Sequence, residues 1–329
     1  MKFLNKRLTA IILIAAASLT LLAGCSKVDV ENQTQSQKET EDNQELVVSD
    51  DSDRQSDEQV TKAVDLEEIS SESFPVHGDL YATMYDEGNT EQIKKWVDEI
   101  VKSSSSLQEE VEKVESLSDE YTDLLQEYNT QLDINKISYC SLQVWDEELN
   151  NLWGRMSERL DTQTKEELLG YLRTWNATKE DYIVASIGER EEGGSIYSLL
   201  YNSLMEDMTR KKVHILADQY AKFLGETYEK STFDIEGYYA NCEGTADIYD
   251  ELRIMQSVDG GLNVEIGLYR ITTLNGTAIQ SGDVLYYTDS ELDLTGIITC
   301  GWDGAIFTVV TSNFEYLKSG DTFNFDTVY

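Results

Sequence analysis

Apolar positions recur at three- and four-residue steps through the middle of the chain. In "SLQEEVEKVESLSDEYTDLLQEYNTQL", Leu107, Val111, Val114, Tyr121, Leu125, Tyr128 and Leu132 are separated by acids, which predicts one helix with a single apolar stripe. The same period predicts further helices through Leu142, Trp145, Leu149, Leu152, Met156 and Leu160, and then through Leu168, Leu172, Trp175 and Tyr182. A last stripe runs Ile196, Leu200, Leu204, Met208, Ile215, Tyr220. Thr164 and Glu167 have the spacing of a capping box. Short polar links between such helices favour antiparallel packing, so 76–231 is predicted as a helical bundle. Beyond Ser231 apolar and polar residues alternate in short runs, and Asp259-Gly260, Asn275-Gly276 and Asp303-Gly304 are turn dipeptides. Residues 232–329 are predicted to form an antiparallel sheet of six to eight strands, a small barrel or sandwich. The expected fold is therefore two domains, all-α followed by all-β.

The first residues carry a basic start (Lys2, Lys6, Arg7) and an apolar run from Leu8 to Gly24, the layout of an export signal. Leu22-Ala23-Gly24-Cys25 resembles the bacterial lipobox, which implies a signal peptide over 1–24 and lipidation of Cys25. The alternative is an uncleaved N-terminal anchor. Either expectation tethers the chain to the cell membrane on its outer side, and more than one acyl chain gives durable anchoring. Residues 25–75 follow as an acidic tether, with no aromatic residue from Ser26 to Glu72. So little apolar surface cannot offset the entropy of ordering, and the segment has a random-coil reach of roughly 35–40 Å.

A net charge of −37 repels nucleic acid and steers the chain toward cationic partners. The same charge also serves solubility at a crowded cell surface. With Cys25 lipidated, Cys140, Cys242 and Cys300 remain, without C-x-x-C spacing and with only His77 and His214 beside them. No metal site and no cofactor is predicted. Cys242 and Cys300 are candidates for a disulfide in an oxidising compartment.

Catalytic signatures are missing: there is no H-E-x-x-H, G-x-S-x-G, G-x-G-x-x-G or Walker-type loop. Ser195 would need a base, and His214 stands nineteen residues away without supporting signal. The reading is non-enzymatic, although the 63 acids leave a paired-carboxylate glycan hydrolase as a third possibility by motif. Within "EREEGGSIYSLLY", Gly193-Gly194 break the helical pattern and Ser195 is a candidate cap for the next helix. Glu189, Glu191 and Glu192 argue against an anion cradle there.

From Cys140 to Tyr220 the chain resembles the N-terminal domain of the LprI-like lysozyme-inhibitor lipoproteins. The resemblance rests on "DEELNNLWGRM" (Asp146, Leu149, Asn150, Trp153, Met156), on "LRTWNATKED" (Trp175, Lys179), and on Gly193-Gly194-Ser195. It ends with "MTRKKVHILADQY", where Thr209, Lys212 and Leu216 match. Of the cysteines that bridge the family's helices only Cys140 is present; Ile183 stands near a partner's position, and Lys179 replaces an arginine. The resemblance implies an inhibitor of a basic protein such as lysozyme, with an exposed corner offering Arg190, Gly193, Gly194, Ser195 or Tyr197 to the catalytic cleft. A corner that merely turns the chain is the alternative for each of these residues. A second functional reading is an envelope binding module in which the β part recognises wall polymer or another protein.

Overall fold

The computed structural model describes residues 77–241, 250–257 and 260–329. Cys25 and Cys242 lie outside these residues, so neither lipidation nor the Cys242–Cys300 pair is addressed by the structure.

The helices are α1 (His77–Thr83), α2 (Asn89–Ser103), α3 (Leu107–Leu124), α4 (Gln131–Ser157), α5 (Thr162–Ile187), the single turn α6 (Arg190–Gly193) and α7 (Tyr197–Leu224). The stripe expected to run unbroken from Leu107 to Leu132 is interrupted after Leu124. Thr130 accepts a hydrogen bond from the Asp133 amide and starts α4, which leaves Leu132 62 % exposed on the new helix. The cap of α5 is Asp161, whose carboxylate accepts from the amides of Gln163 and Thr164; the Thr164–Glu167 capping box does not form. Helix α4 is buried nearly all round, from Ile134 through Cys140, Trp145 and Glu148 to Met156, and packs against α2, α3 and α7. Two of its polar interior groups are paired through α3: Trp145 Nε1 donates to Ser118 Oγ at 2.9 Å, and Ser118 shares a 2.8 Å hydrogen bond with Ser141.

Among the described residues nine strands follow, all antiparallel: β1 (Gly237–Asn241), β2 (Asp250–Gln256), β3 (Leu262–Leu268), β4 (Thr272–Ser281), β5 (Val284–Asp289), β6 (Leu294–Gly301), β7 (Gly304–Ser312), β8 (Thr322–Phe325) and β9 (Thr327–Val328). β1 to β8 form a meander, and β9 returns to pair with β1. Only Asp326 separates β8, bonded to β7, from β9, bonded to β1, so one short stretch of chain joins both ends of the sheet into a nearly closed barrel. Gly304, at φ +109°, permits this seam, because a Cβ there would collide with the Phe325 carbonyl and the Asp326 backbone. Inward side chains fill the interior, among them Leu252, Ile266, Leu274, Tyr287, Ile298 and Phe307.

One expected turn is wrong. Asn275-Gly276 lies inside β4, paired with Glu265 and Val264. Gly276 is small there because a Cβ would meet the Thr288 carbonyl and the Tyr287 ring. The chain reverses instead at Tyr269-Arg270-Ile271, with Arg270 at φ +60°, and at Gly282-Asp283, with Gly282 at φ +63°. The turn expected at Asp303-Gly304 falls one residue earlier, at Trp302-Asp303 between β6 and β7, and Gly304 is the first residue of β7, paired with Gly301.

Candidate functional site

The corner between α5 and α7 begins at Gly188, which ends α5 at φ +79° and lets its amide donate to the Val184 carbonyl. The turn α6 and a 3₁₀ turn over Gly194–Ile196 complete it. Arg190, Gly194 and Ser195 are exposed, and Gly193 is half-buried. Tyr197 is buried, which corrects its assignment to the presented tip: its ring packs where a Cβ on Gly193 would sit. Ser195 does not cap α7, whose N-terminus at Ile196 has no side-chain cap. Gly193 thus serves ring packing, and Gly194 supplies the positive φ of +57°.

The barrel braces this corner. Arg253 on β2 donates to the carbonyls of Ala185 and Ser186 at 2.9 and 3.3 Å, a cation set against the C-terminal end of α5. Ser186 Oγ donates to Tyr238 Oη on β1 at 2.7 Å. On the other flank Tyr201 donates to Glu180 at 2.7 Å. Exposed Glu189 and Glu191 surround Arg190, so the corner offers one cation in an acidic setting.

The remaining sequence-predicted residues gather elsewhere. Lys179 Nζ lies 4.9 Å and Lys212 Nζ 5.1 Å from the centre of the buried Trp175 ring. Burial raises the Asp146 carboxyl pKa and lowers that of the Lys179 ammonium, and each is partly restored by the charge of the other. Lys212 is completely buried; it donates to Tyr171 Oη at 2.7 Å and to the Val328 carbonyl at 3.2 Å. Lys211 beside it donates to the carbonyls of Glu236 at 2.9 Å and Tyr329 at 3.4 Å and pairs with Asp207 at 2.9 Å. Thr178 and Tyr329 share a 2.5 Å hydrogen bond, and the Tyr329 ring packs 4.4 Å from Tyr182. Trp175 and Lys212 therefore help seat the barrel's last strand on α5 and α7. Leu149 is buried in the bundle, Asn150 is exposed on α4, and Thr209 bonds the Met205 carbonyl one turn back. The anchoring role of Lys211 is not legible in the sequence, because beyond Asp207 its acceptors are backbone carbonyls that no sequence pattern marks.

Ser195 and His214 do not meet. They are separated by roughly 25 Å along α7, and His214 is buried with Nδ1 2.7 Å from Tyr228 Oη. Cys140 is buried and accepts from Asn89 Nδ2 at 3.1 Å, with its thiol pushed up to about 11 by burial. Burial pushes the half-buried Cys300 thiol up to about 12. Among the described residues no group of three or more His, Cys, Asp or Glu is arranged to hold a metal, and no helix is long and apolar enough to cross a membrane.

No curated protein and no solved structure matches the chain. A protein-family comparison matches the helical region. Residues 122–216, from the last turn of α3 through α4, α5 and the corner into α7, match the family model described as Lysozyme inhibitor LprI, a similarity covering under a third of the chain.

Proposed function

We propose that this protein is a non-enzymatic inhibitor of lysozyme-type muramidases, held outside the cytoplasmic membrane by lipid on Cys25. The observation that carries the reading is the family match over residues 122–216. Two features support it. The net charge of −37 steers the chain toward a basic enzyme, and the Gly188–Ile196 corner leaves Arg190, Gly194 and Ser195 exposed. A cation on an exposed backbone turn suits a cleft lined by catalytic carboxylates, with Arg190 offered to an acid and Ser195 to its hydrogen-bonding groups. Signature residues Trp175 and Lys212 take no direct part, since they are buried against the barrel.

The test is muramidase activity titrated with the purified chain at low and high salt. Inhibition should weaken as salt rises, and Arg190→Glu should relieve it by tenfold or more while leaving the melting temperature unchanged. A chain that leaves muramidase activity untouched at low salt refutes the proposal.

A further inference from the structure

The five strands β4 to β8 contain one charged residue, Asp289, and it is buried, accepting from the amides of Glu291 and Leu292. Elsewhere charge is plentiful, at 27 % of the whole chain, and the outward positions of β2 and β3 include Glu251, Arg253 and Glu265. The outward face of β4–β8 is thus a neutral patch on a strongly acidic protein.

The register orders that patch into rows. Thr277, Thr288, Thr295 and Thr311 stand side by side across β4, β5, β6 and β7. The adjacent row is Ile279, Tyr286, Ile297 and Thr308, with Ile279 75 % and Tyr286 54 % exposed. A third row, from Ser281 to Asn324, is likewise uncharged. Neighbouring strands lie roughly 4.8 Å apart, so hydroxyls and apolar groups repeat at a step close to the length of a sugar ring. The outward side chains of β1 and β2 meet α5 instead, through Tyr238 and Arg253.

We propose that this face binds an uncharged glycan. A charged partner would lose water there without finding a counter-charge. A wholly apolar partner would strip the threonine row of water; Thr295 and Thr311 share a 2.7 Å hydrogen bond, but Thr277 and Thr288 would lose their hydration without a replacement. A neutral sugar chain matches both rows, its C–H faces lying on Tyr286 and Ile279 and its hydroxyls meeting the threonines. A second copy of this chain brings a further charge of −37 and is repelled at low salt. The inference is independent of muramidase inhibition, because it uses no residue of the helical corner.

Calorimetric titration of the full chain with neutral hexasaccharides (chitohexaose, cellohexaose and maltohexaose) tests it. At least one should bind, with affinity unchanged on raising salt tenfold, and both Ile279→Asp and Tyr286→Ala should weaken it by tenfold or more. Both side chains are exposed, so unaltered melting of the two variants excludes loss of fold. The proposal is overturned if no hexasaccharide binds at millimolar concentration, or if both variants bind like the parent. It is equally overturned if the parent is a dimer that Ile279→Asp converts to a monomer, which would assign the face to a second copy.

Discussion

His214 Nδ1 lies 2.7 Å from the hydroxyl of Tyr228, and the other ring nitrogen is buried with no hydrogen-bond partner among the described residues. Burial first, then Arg210 and Lys230, lower its pKa from 6.5 to about 4. Between those values the unfolded chain binds a proton that the folded chain refuses. Stability should therefore fall as pH drops through this window, by about 3 kcal/mol in all for this one group. Denaturant unfolding of the parent and of His214→Gln at pH 7, 5.5 and 4.5 checks this. The parent should lose more stability than the variant on acidification, and parallel losses would refute the assignment.

A second pH effect has the opposite sign. Arg155 pairs with Glu110 and lies 3.8 Å from Glu148, a completely buried acid whose pKa is raised well above normal by burial and then by Glu110. Arg155→Met leaves two buried acids facing one another without their cation. The expected cost is about 3 kcal/mol at pH 7. It should shrink at pH 5, because Glu148 takes up a proton in the folded state more readily than in the unfolded chain. An equal cost at both pH values would count against it.

The docking of the last strand is open to a direct comparison. Lys212→Ala removes a buried donor to the Val328 carbonyl and should destabilise the protein by about 2 kcal/mol or more. Hydrogen exchange at the Tyr329 amide, which donates to the Tyr238 carbonyl at 2.9 Å, should accelerate. Arg190→Ala, exposed at the corner, should change stability by less than about 0.5 kcal/mol.

At the barrel seam, Gly304→Ala combines a φ of +109° with a collision against Phe325 and Asp326. A loss of at least about 2 kcal/mol is expected. Gly301→Ala, where a Cβ meets nothing within 4 Å, is the control and should melt close to the parent.

Periodicity made both halves of the fold legible, because the apolar step changes from the helical to the strand period between Leu224, where α7 ends, and Gly237, where β1 starts. Local signals were weaker where distant groups decide. Asn275-Gly276 has turn chemistry, yet Tyr287 and Thr288 on the neighbouring strand demand a glycine inside β4. Adjacent lysines on a helix ordinarily face water, but Lys211 and Lys212 are buried by carbonyls more than a hundred residues later. At the corner, the two glycines were visible as a helix break. The burial of Tyr197 was not, since it depends on which side of the turn its ring folds.

The seam at Asp326 also fixes an order of events. β1 pairs with β9, and residues 322–328 are the last of the described strands to be made. Until they arrive the meander has an open margin, Lys212 lacks the Val328 carbonyl, and Lys211 keeps Asp207 and the Glu236 carbonyl but lacks that of Tyr329. Pairing strands so far apart in the chain is intrinsically slow. The helices can assemble early, whereas sealing of the sheet and its attachment to them become one late, shared step.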